Sequence, residues 1–261
     1  MRRLLTALVL LLLSAVAVCA RQGQPANGGA RLLDEYGLIN ISDTAARMDS
    51  FAVELQNRPT HTGYIVVYPQ LNKFPAWPLR RAYWCKGYLT ESRGLAPERV
   101  VVLNGGFADE VRTQLWLAPT GAPPPVPPFD LAAALSREKT PHLYDRRVFE
   151  NAPPVAEGVF NDFTSPKDSY EPFVAALRAD PAARGFIIAY TRRRDGRGAD
   201  RKLAARHKLS VLKLHPIGAE RIVAKGGGLR SHRTLEFWIV PPGAPLPKPT
   251  PTVRPKRRAR R

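Results

Sequence analysis

The feature that most constrains the fold of this chain is an internal repeat. The sequence matches itself at an offset of 122 residues, and the match runs without a gap from residue 51 to residue 125. Solenoid repeats reach roughly 50 residues at most, so a repeat of this length indicates two copies of one domain. The matched pairs include Phe51/Phe173, Leu55/Leu177, Pro59/Pro181, Gly63/Gly185, Tyr68/Tyr190, Glu98/Glu220, Arg99/Arg221, Gly105/Gly227, Gly106/Gly228, Trp116/Trp238, Pro119/Pro241 and Gly121/Gly243.

Each copy begins with a predicted amphipathic helix. In the first copy, Asp43 or Thr44 can serve as the N-cap of a helix whose apolar residues form one stripe. In the second copy, Ser165 is a favourable N-cap and Pro166 suits the first helical position. We therefore expect equivalent first helices in the two copies.

The remaining segments predict strands and a second helix in each copy. Short β-branched runs at 63–68 and 185–190 predict buried strands. A further strand is predicted before each first helix, at 36–41 and 158–161, and the second helices are predicted at 78–92 and 200–214. The next strands are predicted to start at Arg99 and Arg221, and the last strands to end at 117 and 239. The order β-α-β-α-β-β predicts an α/β fold, an α+β sandwich in which each module packs its helices on one face of a sheet.

Composition and the repeat together divide the chain into five segments. Six prolines between residues 119 and 128 predict an extended spacer, with a short helix at 129–138. The chain closes with RPKRRARR, which is too charged to fold alone. The predicted segments are a signal peptide at 1–20, module 1 at 31–118, a Pro-rich linker at 119–145, module 2 at 146–240 and a Pro-rich, basic, disordered tail at 241–261.

The first twenty residues predict export. Two arginines precede an apolar run from Leu4 to Val18, and Cys19 and Ala20 follow. Small residues at the −3 and −1 positions predict cleavage near Ala20. A lipoprotein would need a small residue before Cys19, where Val18 stands, so this alternative is less favoured. We expect a periplasmic or secreted protein whose mature chain has no transmembrane segment.

The strongly basic composition favours anionic partners. The formal net charge is +18 at pH 7, which suits nucleic acid, anionic lipid or acidic wall polymers. The chain also has 30 Arg against 10 Lys and is rich in Ala and Pro, which fits a GC-rich coding background equally well. Charge alone therefore does not identify the partner.

Two motifs of the first copy stand out, RRAYWCKGYL at residues 80–89 and GLAPERV at residues 94–100. The first resembles the second helix, and the second resembles the entry into the next strand, of the OmpA C-terminal family, the wall-binding module of many envelope proteins. The resemblance covers roughly residues 33–117 and 156–240. It implies the same fold for both modules and a function in binding peptidoglycan.

The resemblance carries over only part of the family's ligand site. That family binds the diaminopimelate group of peptidoglycan through an Asp after the central strand and an Arg in the second helix. Arg81 matches the family Arg in the first copy, whereas Leu203 occupies that position in the second, where a local shift would bring in Arg206. No carboxylate stands at the Asp position, which falls near 69–70 and 191–192. The acid that would pair with the ligand's ammonium group is therefore missing from both modules.

A dense basic loop follows the predicted central strand of the second copy, at the end of the strand where ligands often bind in α/β sheets. An Arg at this place repels an ammonium group and attracts a phosphate or carboxylate. We therefore expect recognition of an anion in place of a zwitterion; a solvated charged loop without a ligand is the alternative. The candidate anion-binding residues are Arg192, Arg193, Arg194, Arg206 and Arg81, with Arg197, Arg201 and Lys202 near the loop.

The remaining candidate groups favour structural roles. Cys85 and His207 are matched by the repeat and fall on apolar helix stripes, which predicts a core thiol and a core-edge imidazole, with a redox or pH role as the alternative. Gly226–Gly228 match residues 104–106 at a predicted hairpin turn, and an anion cradle is the alternative. The five histidines lack metal-ligand spacing, so we expect no metal, no cofactor and no catalytic residue.

Taken together, the sequence predicts a non-enzymatic envelope protein that binds anionic cell-wall or envelope polymers, peptidoglycan included, through its OmpA-like modules and its basic tail. One alternative is a protein-interaction scaffold that binds an envelope protein partner through modules that have lost peptidoglycan recognition. A second alternative is a secreted nucleic-acid binder. Nucleic acid is the less favoured partner, because the aromatic residues expected of single-strand binders are absent near the basic loop.

Overall fold

The computed structural model describes residues 29–137, 139–149 and 165–253. The predicted signal peptide, the predicted strand at 158–161 and the last eight residues of the tail lie outside these described residues. Within the described ranges, no helix combines the length and the apolar character needed to cross a membrane.

Both modules have the element order predicted from the sequence. Module 1 consists of β1 (Arg31–Tyr36), α1 (Ile41–Gln56), β2 (His61–Tyr68), α2 (Ala76–Gly87), β3 (Val100–Asn104) and β4 (Arg112–Pro119). A short helix, α3 (Leu131–Ser136), follows. Module 2 consists of β5 (His142–Phe149), α4 (Pro166–Ala179), β6 (Arg184–Thr191), α5 (Ala199–Leu214), β7 (Ile222–Leu229) and β8 (Arg233–Val240).

Each module contains a four-stranded mixed sheet, which confirms the predicted fold class. The strand orders are β1-β4-β2-β3 and β5-β8-β6-β7. The central strands are β2 in module 1 and β6 in module 2. β2 pairs in parallel with β3, β6 pairs in parallel with β7, and the other pairings are antiparallel. The predicted hairpin at the Gly-rich segments is therefore wrong, because the strands on either side of it are separated by β2 or β6.

The first strands and one helix cap also differ from the prediction. β1 ends at Tyr36, where the predicted strand begins, and Asn40 caps α1 by accepting the Asp43 backbone N–H at 2.8 Å. The predicted cap at Ser165 is confirmed, since its hydroxyl accepts the Asp168 N–H at 3.0 Å. β5 begins at His142, inside the segment predicted as linker. Local sequence does not predict this strand, because it is held by pairing with β8, whose residues lie far away in the sequence.

The repeated glycines of the central strands lie directly under the first helices. A Cβ on Gly63 would lie 2.7 Å from Leu55 and 2.8 Å from Phe51, and a Cβ on Gly185 would lie 2.6 Å from Phe173. Since real Cβ contacts are longer than this, each helix can reach its sheet only where the strand has no side chain. The repeat therefore preserves the packing of helix on sheet.

Repeated arginines close the turn between each first helix and the central strand. Arg99 and Arg221 stand at equivalent positions, and each donates to three backbone carbonyls at 2.7 to 3.0 Å. One acceptor in each set lies in the last turn of the first helix, where a carbonyl has no intrahelical partner, and the other two lie in the turn that follows or at the start of the central strand. The acceptors are Leu55, Arg58 and His61 for Arg99, and Leu177, Asp180 and Ala183 for Arg221.

The Gly-rich segments make room for a tyrosine ring and do not form the predicted turn. Gly226–Gly228 lie within β7, and a Cβ on Gly227 would overlap the ring of Tyr190. The equivalent Gly105 faces the ring of Tyr68 in the same way. Close approach of a tyrosine ring therefore accounts for the glycine that the repeat places at 105 and 227.

Proline-rich segments cross the sheet faces that the helices leave open. We call residues 119–129 the module 1 strap and residues 241–253 the module 2 strap; Pro125 and Pro247, at equivalent positions, are both buried. We expected residues 241–253 to be disordered, but Thr250 donates its backbone N–H to the Tyr190 hydroxyl at 3.0 Å, and Val253 forms a β-bridge with β7. The module 2 strap has few apolar residues other than proline, and the burial of apolar surface by its prolines on the sheet helps to order it.

A buried ion cluster joins the two modules. Asp145 of β5 is 1% exposed and accepts hydrogen bonds from Arg80 of α2 at 3.0 Å and from Arg147 at 2.9 Å. Around it, α2 packs against α4 and β5, and Ala76 belongs to the core of module 2. Burial alone would raise the pKa of Asp145, but the two arginines outweigh it and lower that pKa.

The close approach at Gly185 predicts a clear cost of overpacking. Gly185→Ala should lower the free energy of unfolding by about 1 to 3 kcal/mol, because its Cβ meets Phe173 and Leu177. Adding Phe173→Leu, which removes the ring atom closest to the new Cβ, should recover part of that loss. Urea denaturation of the two variants tests this, and a neutral Gly185→Ala would contradict the packing.

The ion cluster allows a matched comparison between the modules. Asp145→Asn should cost about 3 kcal/mol or more, because it leaves two largely buried arginines, 21% and 13% exposed, without their carboxylate. Asp34 occupies the equivalent bulge of β1 and pairs with Arg47, but it is 31% exposed. Asp34→Asn should therefore cost less than about 1 kcal/mol. Equal losses for the two variants in urea denaturation would contradict a buried junction.

The stabilisation from Asp145 should also depend on pH in a defined direction. Its folded-state pKa is lowered, so the contribution is complete above the unfolded-state pKa of about 3.9 and is lost as the pH falls through the folded-state value. The difference in stability between the parent and Asp145→Asn should stay constant from pH 7 down to about pH 5 and shrink below about pH 4. Denaturation curves across this range would measure it.

Candidate anion-binding surface

The basic loop leaves the central strand of module 2 and leads into α5. It comprises residues 192–198 and contains a 3-10 turn at Arg193–Asp195. Gly196 and Gly198 have φ values of +89° and +74°, in the left-handed region that favours glycine. These two glycines let the chain reverse sharply from the sheet into the helix, which holds the loop at the end of β6.

A carboxylate within the loop neutralises one of its arginines. Asp195 accepts the Arg192 backbone N–H at 2.8 Å and the Arg192 guanidinium at 2.9 Å, and it also accepts the Arg233 guanidinium at 2.7 Å. The hydrogen bonds from Arg233 and Arg192 hold the pKa of Asp195 well below its usual range. Arg192, predicted as an anion-binding residue, is therefore already paired inside the protein.

The other cations near the loop are exposed. Arg193 and Arg194 are exposed, and so are Arg197, Arg201, Lys202, Arg206 and Lys213 of the loop and of α5. The nearby acid Asp200 accepts the Gly228 backbone N–H at 3.0 Å and so faces β7. Among the residues that the structure describes, no carboxylate forms an ion pair with Arg194, Arg197, Arg201, Lys202, Arg206 or Lys213.

Arg206 belongs to this surface, about two helical turns beyond the start of α5. It lines a shallow, open groove on the outer side of the helix. The groove is lined by Lys202, Ala205, Arg206, Leu209, Ser210 and Lys213. Arg193, Arg194 and Arg206 are all exposed, and the loop that carries the first two leads directly into the helix that carries the third.

Arg81 does not join this surface. It lies in α2 of module 1, where it donates to the Asn40 carbonyl at 2.8 Å and to the Thr44 hydroxyl. Burial lowers its pKa. Arg81 therefore holds the start of α1, a structural role that sequence reasoning missed because its partners lie about forty residues away.

Cys85 is buried in the core of module 1 and His207 is half-buried in module 2, in agreement with the predicted core thiol and core-edge imidazole. Burial raises the pKa of the Cys85 thiol to about 12. His207 hydrogen-bonds the Tyr170 hydroxyl at 2.7 Å, and burial, together with nearby arginines, lowers its pKa to about 4. The thiol is therefore protonated and the imidazole neutral at pH 7.

Within residues 29–137, 139–149 and 165–253, no group of three or more His, Cys, Asp or Glu side chains is placed to hold a metal ion. Comparison with known proteins adds no relative: no family model matches the chain, and no curated protein matches it. The chemistry of the exposed cations is therefore the guide to function.

The pairing of Arg192 with Asp195 predicts that the loop arginines contribute unequally. Arg194→Gln should weaken binding to soluble polyphosphate about fivefold, since each cation near an anionic surface contributes about 1 kcal/mol. Arg192→Gln should weaken it less than about twofold, because its guanidinium already binds Asp195. The affinities are measured by titration with polyphosphate at about 150 mM salt. At this salt concentration the Debye length is about 8 Å, so the change in the overall charge of the protein has little effect on binding. Equal losses would contradict this assignment.

Proposed function

We propose that this chain is an exported, non-enzymatic protein of the bacterial envelope that binds anionic cell-wall or envelope polymers through module 2. The observation that carries the proposal is the exposed set of cations around the basic loop and α5. Asp195 of the loop and Asp200 of α5 are engaged in internal hydrogen bonds. An incoming phosphate or carboxylate therefore meets exposed cations such as Arg194, Arg197 and Arg206, which form no ion pair with a carboxylate among the described residues.

The chemistry of these cations suits a polymer with repeated negative charges. Arginine offers a planar fork of donors that fits phosphate and carboxylate groups. The exposed arginines and lysines are distributed over the loop and about three turns of α5, so several groups of one polymer can be bound together. A net charge of +18 adds long-range attraction for a polyanion.

The resemblance to the OmpA C-terminal family is part of this proposal. It is supported by the shared order of elements and by helices that cover one face of each sheet. The loop of module 1 at the family's ligand position has no acid, and Arg81 is bound to α1. We infer that the modules keep the architecture of a wall-binding domain, and that module 2 recognises anions in place of the diaminopimelate zwitterion.

Export rests on the sequence of residues 1–20, with its basic start, apolar run and small residues before the predicted cleavage site. A protein delivered outside the cytoplasm meets wall and envelope polymers that carry phosphates and carboxylates. The predicted location and the basic surface therefore support the same class of ligand.

The proposal is tested with the chain lacking residues 1–20, purified peptidoglycan and soluble polyphosphate. The double variant Arg194→Gln/Arg197→Gln should weaken binding about 25-fold, from the loss of two cations that each contribute about 1 kcal/mol. The matched control is Arg137→Gln/Arg184→Gln, which removes the same charge from exposed positions at the opposite end of β6. The control should retain nearly the parent affinity.

A third variant, truncated after Val253, separates the loop from the basic end of the tail. It removes six of the basic residues and keeps the contacts of the module 2 strap. If truncation abolishes binding and the loop variant binds like the parent, the loop proposal is wrong. Absence of binding by the parent to both polymers would favour the protein-interaction scaffold.

A further inference from the structure

The outer face of α5 combines cations with one exposed apolar side chain. Leu209 is 66% exposed, more than any other large apolar residue that the structure describes. Lys202, Ala205, Arg206 and Lys213 lie within about 60° of it around the helix axis, at about 100° per residue. The leucine therefore lies in the centre of a basic stripe.

The opposite side of α5 is fixed to the module. Ala204 and Val211 are buried in the core, and Lys208 donates to the Ala219 carbonyl at 2.9 Å. The acid of the helix, Asp200, is bound to the backbone of β7. The outer stripe is therefore presented on a rigid element and contains no acidic residue; Glu220 is exposed beyond the end of the helix.

A polyanion accounts for the cations of this stripe but gives no role to Leu209. A bilayer surface accounts for both, because an amphipathic helix can lie in the interface with apolar residues inserted and basic residues at the headgroups. Lysine and arginine also extend their charged ends to the headgroup level while their aliphatic stems stay near the apolar boundary.

We propose that the outer face of α5 docks on an anionic lipid bilayer, with Leu209 inserted between the headgroups and Lys202, Arg206 and Lys213 bound to headgroup phosphates. The proposal rests on the proposed function for the sign of the charge and adds a lipid surface as a ligand of the same cations. Arg194 and Arg197, in the loop before the helix, extend the basic surface toward its N-terminal end.

Vesicle binding by the chain lacking residues 1–20 tests the proposal. The parent should cosediment with phosphatidylcholine vesicles that contain about 30% phosphatidylglycerol and not with pure phosphatidylcholine, since anionic headgroups supply the attraction. Leu209→Gln should weaken vesicle binding about fivefold, because the inserted apolar area is lost. The same variant should bind soluble polyphosphate like the parent, because it removes no charge.

The matched control is Leu246→Gln in the module 2 strap. Leu246 is 58% exposed, and its segment lies on the sheet face opposite the helices. It should leave vesicle binding unchanged. Parent-like vesicle binding by Leu209→Gln would overturn the insertion. Parent binding to polyphosphate but not to anionic vesicles would overturn the lipid proposal and leave the proposed function standing, whereas binding to neither would contradict both.

Discussion

The packing of a phenylalanine ring over a glycine of the central strand fixes the rest of each module. In module 2, the ring of Phe173 can reach β6 only because Gly185 has no side chain. Arg221 then binds the carbonyls that end α4, which sets the point where β6 begins. Since β6 is eight residues long, its far end and the loop that follows have a defined place. The exposed cations depend on this chain of contacts.

The two copies have kept this packing and diverged in their charged groups. In module 1 the buried amide of Gln114 accepts from the Trp116 indole, and in module 2 the equivalent Glu236 accepts from Trp238 at 3.3 Å. The carboxylate of Glu236 also pairs with Arg230 at 2.9 Å. Arg230 in turn donates to Thr250 of the module 2 strap, so this one substitution contributes to the ordering of the strap.

The module junction shows a second divergence. Asp34 and Asp145 stand at equivalent bulges, but Asp34 pairs with Arg47 of its own module, whereas Asp145 accepts Arg80 from the other module. The α2 helix of module 1 thereby becomes a support for module 2. Arg81, the next residue of α2, binds the start of α1. Module 1 thus uses its helix arginines for structure, and module 2 presents its own to solvent.

Local patterns predicted much of the fold, and non-local contacts account for what they missed. Ser165 could be identified as a cap because its partner lies three residues away. β5 carries Asp145, Arg146 and Arg147, so its sequence does not resemble a buried strand until its partners are known. The basic loop could be predicted from its composition, whereas the pairing of Asp195 with Arg233 depends on the folded sheet. The exposure of Leu209 also follows only from the packed orientation of α5.

The most direct test of the central claim, that the loop of module 2 contacts a polyanion, is the salt dependence of polyphosphate affinity. Each neutralised phosphate contributes about 0.7 to the slope of log affinity against log salt for a single-stranded polyanion. Removal of Arg194 and Arg197 should therefore reduce the magnitude of that slope by about 1.4 relative to the parent chain. Identical slopes for the two proteins would contradict the claim, because the binding cations would then lie elsewhere.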